Sequence, residues 1–285
     1  MKKTLLLCLS LLAFNAVAAS PVWVVEGDGN KLFLAGTVHV LREADYPLPA
    51  AFEQAYRQSQ SLAFEIDIDQ TRSPQFIQRM ANAFKLPEGV GIEQLLSPET
   101  LQRLALHLRS NGLSLQQFKG LKPSMIATTL TMFELRKLGA AHEGVDTFYQ
   151  RKATEDGKQV LALESAEEQI VYLSKMGDGH EDLMIQQTLD DVDSLAGQFQ
   201  DMLTAWRQGD NKMLQKLFVD SLQRDFAPLY QELLVERNHN WLPQLLQYLD
   251  TPATEMVLVG SAHLVGEDGL LQMLESKGYR VSQLD

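Results

Sequence analysis

Two stretches at opposite ends of the chain carry the same phrase. Residues 32–40 read Leu32-Phe33-Leu34-Ala35-Gly36-Thr37-Val38-His39-Val40, and residues 256–264 read Met256-Val257-Leu258-Val259-Gly260-Ser261-Ala262-His263-Leu264. Each is an apolar run followed by Gly, a small hydroxyl residue, a spacer, a His and an aliphatic. An apolar run bounded by Gly is the pattern of a strand buried on both faces of an α/β sheet. Side chains just past the C-terminal ends of such strands are where these sheets collect ligands. The two distant segments are therefore expected to lie side by side, with His39 and His263 sharing one site.

Outward from the first copy, Val22–Val25 and Leu32–Leu34 flank the turn-rich Glu26-Gly27-Asp28-Gly29-Asn30 and predict a β-hairpin. Gly27 and Gly29 begin a G-x-G, but Leu32 stands where a third Gly would be needed, which excludes a dinucleotide fingerprint. Pro47 and Pro49 introduce a helix with Phe52, Ala55 and Tyr56 on one face. Leu62 to Asp69 alternates apolar residues with Ala63, Glu65, Asp67 and Asp69, which predicts a strand with an acidic face. Glu65 sits deepest in the apolar run and is the candidate carboxylate, whereas Asp67 and Asp69 equally suit a solvated edge. Beyond the second copy, Leu270, Leu271 and Leu274 form a helix face and Tyr279–Leu284 returns as a strand, a βαβ unit.

The middle of the chain is helical in pattern. Ser97-Pro98-Glu99 starts one helix, which Asn111-Gly112 closes, and His107 lies off its apolar stripe as a surface residue. Met125–Leu138 reads as a buried helix whose methionines are packing. His142-Glu143-Gly144-Val145-Asp146 begins like a zinc-protease helix but lacks its second His, leaving Asp146 as an acid that supports the site. Val160–Glu164 predicts a strand with Glu164 at its C-terminal end, and Ser165 with Glu168 forms a capping box. Asp190, Asp191 and Asp193 lack the spacing of a calcium loop and read as a solvated helix face. Trp206, Phe218 and Leu222 are expected in the core. Arg237 and Asn238 fall in a helix ending near Trp241, either as an ordinary polar turn or projecting inward to orient an oxyanion or a carboxylate. The fold class is α/β: a central mixed β-sheet built from N- and C-terminal segments, with long helical excursions over about 71–155 and 166–250. No linker or repeat divides residues 20–285, which read as one domain.

The net charge of −12 over 285 residues argues against nucleic acid as a partner. Lys2 and Lys3, the apolar Leu5–Phe14 and Ala16-Val17-Ala18 make residues 1–19 a secretory signal peptide, which points to export into a bacterial periplasm or secretion. Cys8 leaves with that leader, and Leu7 before it argues against lipidation, so the mature chain holds no disulfide. No other apolar run suffices for a membrane span.

Two histidines and a carboxylate on one face of a sheet suit a divalent metal with open positions, manganese, cobalt or zinc. Gly36 and Gly260 would allow close backbone approach, and Thr37 and Ser261 would supply supporting hydrogen bonds. Glu65 would be either ligand or general base. The same groups also suit metal-free chemistry, with one His and Glu65 as an acid–base pair acting on water. Nucleophilic catalysis is unsupported: there is no mature Cys and no G-x-S-x-G elbow, and Ser261 sits in the same turn as His263.

Gly36-Thr37-Val38-His39, Glu65 and Gly260-Ser261-Ala262-His263 followed by Leu264-Val265-Gly266 resemble the TraB/GumN/TIKI family, as do Glu143–Asp146, Leu163-Glu164 and Glu236–Asn238 in their order. The resemblance implies a metal-dependent, peptidase-like hydrolase, because animal TIKI members are divalent-metal proteases. It carries His39, Glu65 and His263 over as catalytic or metal-binding positions, and Arg237 and Asn238 more weakly. It is distantly similar to erythromycin-esterase-like and haem-binding ChaN-like proteins, so a non-catalytic periplasmic binder of metal, haem or peptide is the alternative. The substrate, peptide or small molecule, is left open, and dimers among family relatives offer only analogy.

Overall fold

A computed structural model describes residues 20–284; the signal-peptide reading lies outside them. Six strands form one sheet in the order β6-β4-β7-β2-β1-β8. They are β1 (Val22–Gly27), β2 (Asn30–Thr37), β4 (Ser61–Phe64), β6 (Gln159–Ala162), β7 (Glu255–Gly260) and β8 (Arg280–Gln283). Two short strands, β3 (Val40–Leu41) and β5 (His142–Glu143), pair separately. The first and last segments of the chain thus meet in one sheet, a mixed α/β architecture.

The hairpin β1–β2 forms in antiparallel register from Val22↔Ala35 to Gly27↔Asn30. β2, β7, β4 and β6 run parallel, and β1 is reversed between β2 and β8. The interior strands are buried on both faces, with Leu62, Ala63, Phe64, Met256, Val257 and Leu258 no more than 1% exposed. That burial explains their unbroken apolar runs.

β2 and β7 pair directly, but Gly36 lies opposite Val259 and Thr37 opposite Gly260. The two phrases are therefore staggered by one position, and their turns diverge. β2 leaves through a bend at His39 into β3, whereas β7 closes into a 3₁₀ turn over Ser261–His263. The turns are latched together. Ser261 Oγ donates to the Thr37 carbonyl at 3.0 Å, and the Trp206 indole donates to the Gly36 carbonyl at 2.8 Å. A Cβ on Gly36 would stand 2.8 Å from Ser261 Oγ, so a side chain there would displace the hydroxyl that makes this latch.

Several sequence expectations are corrected. The acidic-faced strand through Asp69 does not form. β4 ends at Phe64, Ala63 is as buried as its neighbours, and Asp67 caps the next helix by accepting from the Asp69 N–H at 3.1 Å. The βαβ unit does form, with β7 and β8 parallel in one sheet, but the β1–β2 hairpin lies between them. The first excursion is interrupted by β5, which pairs with β3. The helix bearing Arg237 runs from Glu236 to Leu249 and not to Trp241. Phe218 and Leu222 are half-buried, although Trp206 is in the core. His107 is largely covered, 3.3 Å from the Glu134 carboxylate.

The helices Pro123–Lys137 and Glu181–Gln208 pack on each other, building a second apolar cluster that includes Leu104, Leu108, Ile126, Leu130, Ile185 and Leu189. Gly209, at φ +59°, ends the longer helix. Among the described residues no helix is long and apolar enough to cross a membrane.

Candidate active site

The four parallel strands each deliver a side chain just beyond their C-terminal ends, where open α/β sheets bind ligands. In spatial order they are Glu164 after β6, Glu65 after β4, His263 after β7 and His39 after β2. The Glu164 N–H donates to the Glu65 carbonyl at 2.9 Å, prolonging the pairing past the strand ends.

Arg237 organises this row from the helix Glu236–Leu249. Nε and Nη2 grip Glu164 at 3.0 and 2.8 Å, Nη2 reaches Glu65 Oε2 at 2.5 Å, and Nη1 reaches His263 Nε2 at 3.1 Å and the Leu233 carbonyl at 3.4 Å. All five N–H donors have acceptors within the protein. The guanidinium lies 4.6 Å from the Trp241 ring centroid and its side chain is 8% exposed. Burial works against the charge on Arg237, but Glu65 and Glu164 outweigh it and hold its pKa above the ordinary value. Burial raises the Glu164 carboxyl, with Arg237 opposing. Burial also pushes the Glu65 carboxyl up, yet Arg237, His263, His39 and the Gly260 N–H together hold it well below the carboxylate range.

Asn238 fixes the tautomer of His263. Its Nδ2 donates to the carbonyls of His263 (3.1 Å) and Asp268 (2.8 Å), so its Oδ1 accepts from His263 Nδ1 at 2.8 Å. Nε2 is then the unprotonated nitrogen, and its lone pair faces Arg237. Burial pushes this imidazole down to about 3, so it is neutral.

His39 has the opposite environment. Its side chain is 65% exposed at the cleft rim, and Nδ1 lies 3.1 Å from Asp146 Oδ1. Asp146 sits in the first turn of the helix Val145–Glu155, held against β2 by the Val145 N–H donating to the Val38 carbonyl at 3.0 Å. The charge of Asp146 raises the His39 pKa above that of an ordinary imidazole, and solvent screens part of this pull. Gly144 makes the approach possible: a Cβ there would fall 2.3 Å from the His39 carbonyl.

His39 Nε2 makes no hydrogen bond among the described residues and borders a space over Gly260. A Cβ on Gly260 would sit 3.3 Å from Glu65 Oε1, 3.7 Å from His39 Nε2 and 3.7 Å from His263 Cδ2. Gly260 has φ −50° and ψ 136°, which any residue adopts, so its backbone does not demand glycine. The Gly260 N–H donates to Glu65 Oε1 at 2.7 Å. Thr37 Oγ1 is buried beside this space and makes no hydrogen bond among the described residues.

His39, Glu65 and His263 are thus brought together, with Gly36, Thr37, Gly260, Ser261, Asp146, Glu164, Arg237 and Asn238 around them. They do not present three free donors to a divalent ion. The His263 lone pair faces a guanidinium, and Glu65 is bound by Arg237 and the Gly260 N–H. Among the described residues no group of three His, Cys, Asp or Glu side chains could hold a metal. As arranged, these residues do not fit a three-ligand metal centre.

The cleft in front of the site, about 500 Å³, is walled by residues that the sequence reading either took as core packing, as with Met132 and Phe218, or did not single out. They come from the helices Pro123–Lys137 (Met132, Leu135) and Glu181–Gln208 (Phe199, Met202), and from the π-helical turns Gln215–Asp220 and Gln231–Val235 (Leu217, Phe218, Leu233). Surplus apolar residues on those helices were the only signal available, because the partners that leave them facing a cleft come from distant segments.

A model of the TraB/PrgY/gumN family matches residues 21–283. YbaP of Escherichia coli K12, described as uncharacterized, is 30% identical over 86% of this chain and 89% of its own. Metalloprotease TIKI2 of Danio rerio is 25% identical over 87% of this chain and 57% of its own length. Metalloprotease TIKI1 of the same fish is 23% identical, with 91% and 62% covered. No solved structure gives a significant match. With the match spanning nearly all the described residues, this chain belongs to the TraB/PrgY/gumN family.

Proposed function

We infer that the protein is a hydrolase in which His39 draws a proton from water to cleave an acyl bond. The observation that carries this reading is the space over Gly260. His39 Nε2 and Glu65 Oε1 border it, and Asp146 stands behind His39 Nδ1. A carboxylate behind an imidazole fixes its tautomer and stabilises the imidazolium that forms. A water in this space adds through oxygen to a substrate carbonyl while its proton passes to His39 Nε2. The bond from the acyl carbon to the alcohol or amine then breaks, and His39 returns the proton to the leaving group. Glu65, strongly stabilised as the anion, is a poor base but can accept a hydrogen bond from that water. The unpartnered Thr37 hydroxyl can donate to the substrate oxygen.

The names of the TIKI relatives support hydrolysis, peptides among the substrates, and a metal-dependent version. No step here is assigned to a metal, because the donor arrangement favours Arg237 as the cation of the site. The N-terminal sequence supports action outside the cytoplasm, in a bacterial periplasm.

The test is hydrolysis of an ester and amide panel by the chain from residue 20 onward, with His39→Ala alongside. Activity that falls by at least about 10²-fold in the variant supports the reading. A folded wild type that turns over nothing, yet binds haem or a peptide, would assign the fold to binding.

A further inference from the structure

We propose that the substrate is an uncharged acyl compound with a long apolar chain, the chain lying in the cleft and the carbonyl over Gly260. This rests on the hydrolase reading and adds what that reading leaves open. The walls above the polar floor are aliphatic, aromatic and Met side chains, with Met132, Leu135, Met202, Leu217, Phe218 and Leu233 facing the opening. Unbranched thioethers adapt to chains of varying shape. Thr131 and Met132 also line a second apolar hollow of about 300 Å³, whose other walls include Met176, Met184, Phe226 and Leu229. The two hollows share that ridge, so a chain longer than the first can continue over it.

Charge selects the reactive end. Apart from the histidines, the charged residues lining the cleft are Glu65 and Arg237. Every donor of Arg237 is already committed to Glu65, Glu164, His263 or Leu233. Once His39 is deprotonated, the state in which it acts as a base, no cation lining the cleft is left to hold a substrate carboxylate, and the two carboxylates behind Arg237 would repel one. An ester or amide carbonyl meets no such penalty.

The same walls disfavour an extended peptide. Away from the floor the polar side chains are Thr131 and Gln198, and the strands ending at the cleft floor, β2, β4 and β7, are paired on both sides. A peptide backbone would lose hydration for few hydrogen bonds, whereas an alkyl chain loses none.

The test uses p-nitrophenyl esters from acetyl to dodecanoyl with the chain from residue 20 onward, His39→Ala rates subtracted. Calorimetry with N-methyloctanamide and with octanoate, above the pH at which His39 loses its proton, reads binding without turnover. We expect kcat/KM to rise about fourfold per methylene over the middle of the series. N-methyloctanamide should bind at least about tenfold tighter than octanoate. Phe218→Ala and Met132→Gln should each flatten the series while melting like wild type. If either unfolds, the wild-type ratio of amide to octanoate still decides. A flat series, equal binding of octanoate, or preferential cleavage of apolar peptide amides overturns the proposal. Tight, chain-length-dependent amide binding with no ester cleaved upholds the apolar site and overturns the hydrolase reading instead.

Discussion

Arg237 Nη1 donates to the lone pair of His263 Nε2 at 3.1 Å, on the nitrogen a metal would need. The same guanidinium forms ion pairs with both Glu65 and Glu164. A cation is therefore built into the row of strand ends as a side chain.

Replacing Arg237 with Ala leaves two buried carboxylates unpaired, at a cost of about 3–5 kcal/mol in stability. It also frees Glu65 and His263 for another cation. Thermal melts of R237A should show a large loss that manganese, cobalt or zinc partly restores, with no such effect on wild type. Equal stabilisation of both by metal would argue against Arg237 as the resident cation.

Gly260 is glycine for the space above it. Gly260→Ala keeps an allowed backbone and meets its nearest side-chain atom at 3.3 Å. The added methyl occupies the position between Glu65 and His39. Melting should change by only a few degrees, while kcat/KM falls about 10²-fold or more. An active G260A would remove the water from this position.

His39 is a base only when deprotonated, and Asp146 raises its pKa above the ordinary 6.5, to about 9. Hydrolysis should therefore increase with pH from neutrality toward that value. In Asp146→Asn the midpoint should move down toward 6.5, and the plateau rate should drop because the ring loses its orienting acceptor. A profile unmoved by the substitution would separate Asp146 from the proton transfer.

His263 is neutral in the fold down to about 3, whereas an unfolded His takes a proton near 6.5. Below 6.5 the unfolded chain binds the extra proton, so stability is present above that value and is lost as pH falls. One proton corresponds to a slope of about 1.4 kcal/mol per pH unit. Glu65 is also held low, but its contribution is lost only below the ordinary carboxylate value of 4.5. Unfolding measured from pH 6.5 to 4.5 should be less pH-dependent in His263→Gln than in wild type. Identical slopes would contradict a buried neutral His263.

Much of this was legible because it is local. The two apolar runs, the hairpin and the caps at Ser97 and Ser165 follow from patterns of a few residues. The pairing of β2 with β7 followed from their shared phrase, but that likeness concealed the one-residue stagger and the divergent turns. One His ends 65% exposed and the other 5%, although their neighbours in sequence are nearly the same. The role of Arg237 was half visible as a polar turn that could point inward; its partners come from three strands distant in sequence. Gly144 stands in the sequence as part of an incomplete zinc-protease pattern, and the structure sets it against the His39 backbone. The cleft walls were not legible, since a helix face left open looks in sequence like one that is covered.

The most direct measurement is kcat/KM on an octanoyl ester for wild type and His39→Ala after exhaustive chelation, with residual metal counted by mass spectrometry. The account predicts that chelated wild type keeps its activity with far less than one metal per chain, and that His39→Ala loses about 10²-fold or more. Activity that vanishes on chelation and returns with one manganese, cobalt or zinc ion per chain would contradict it.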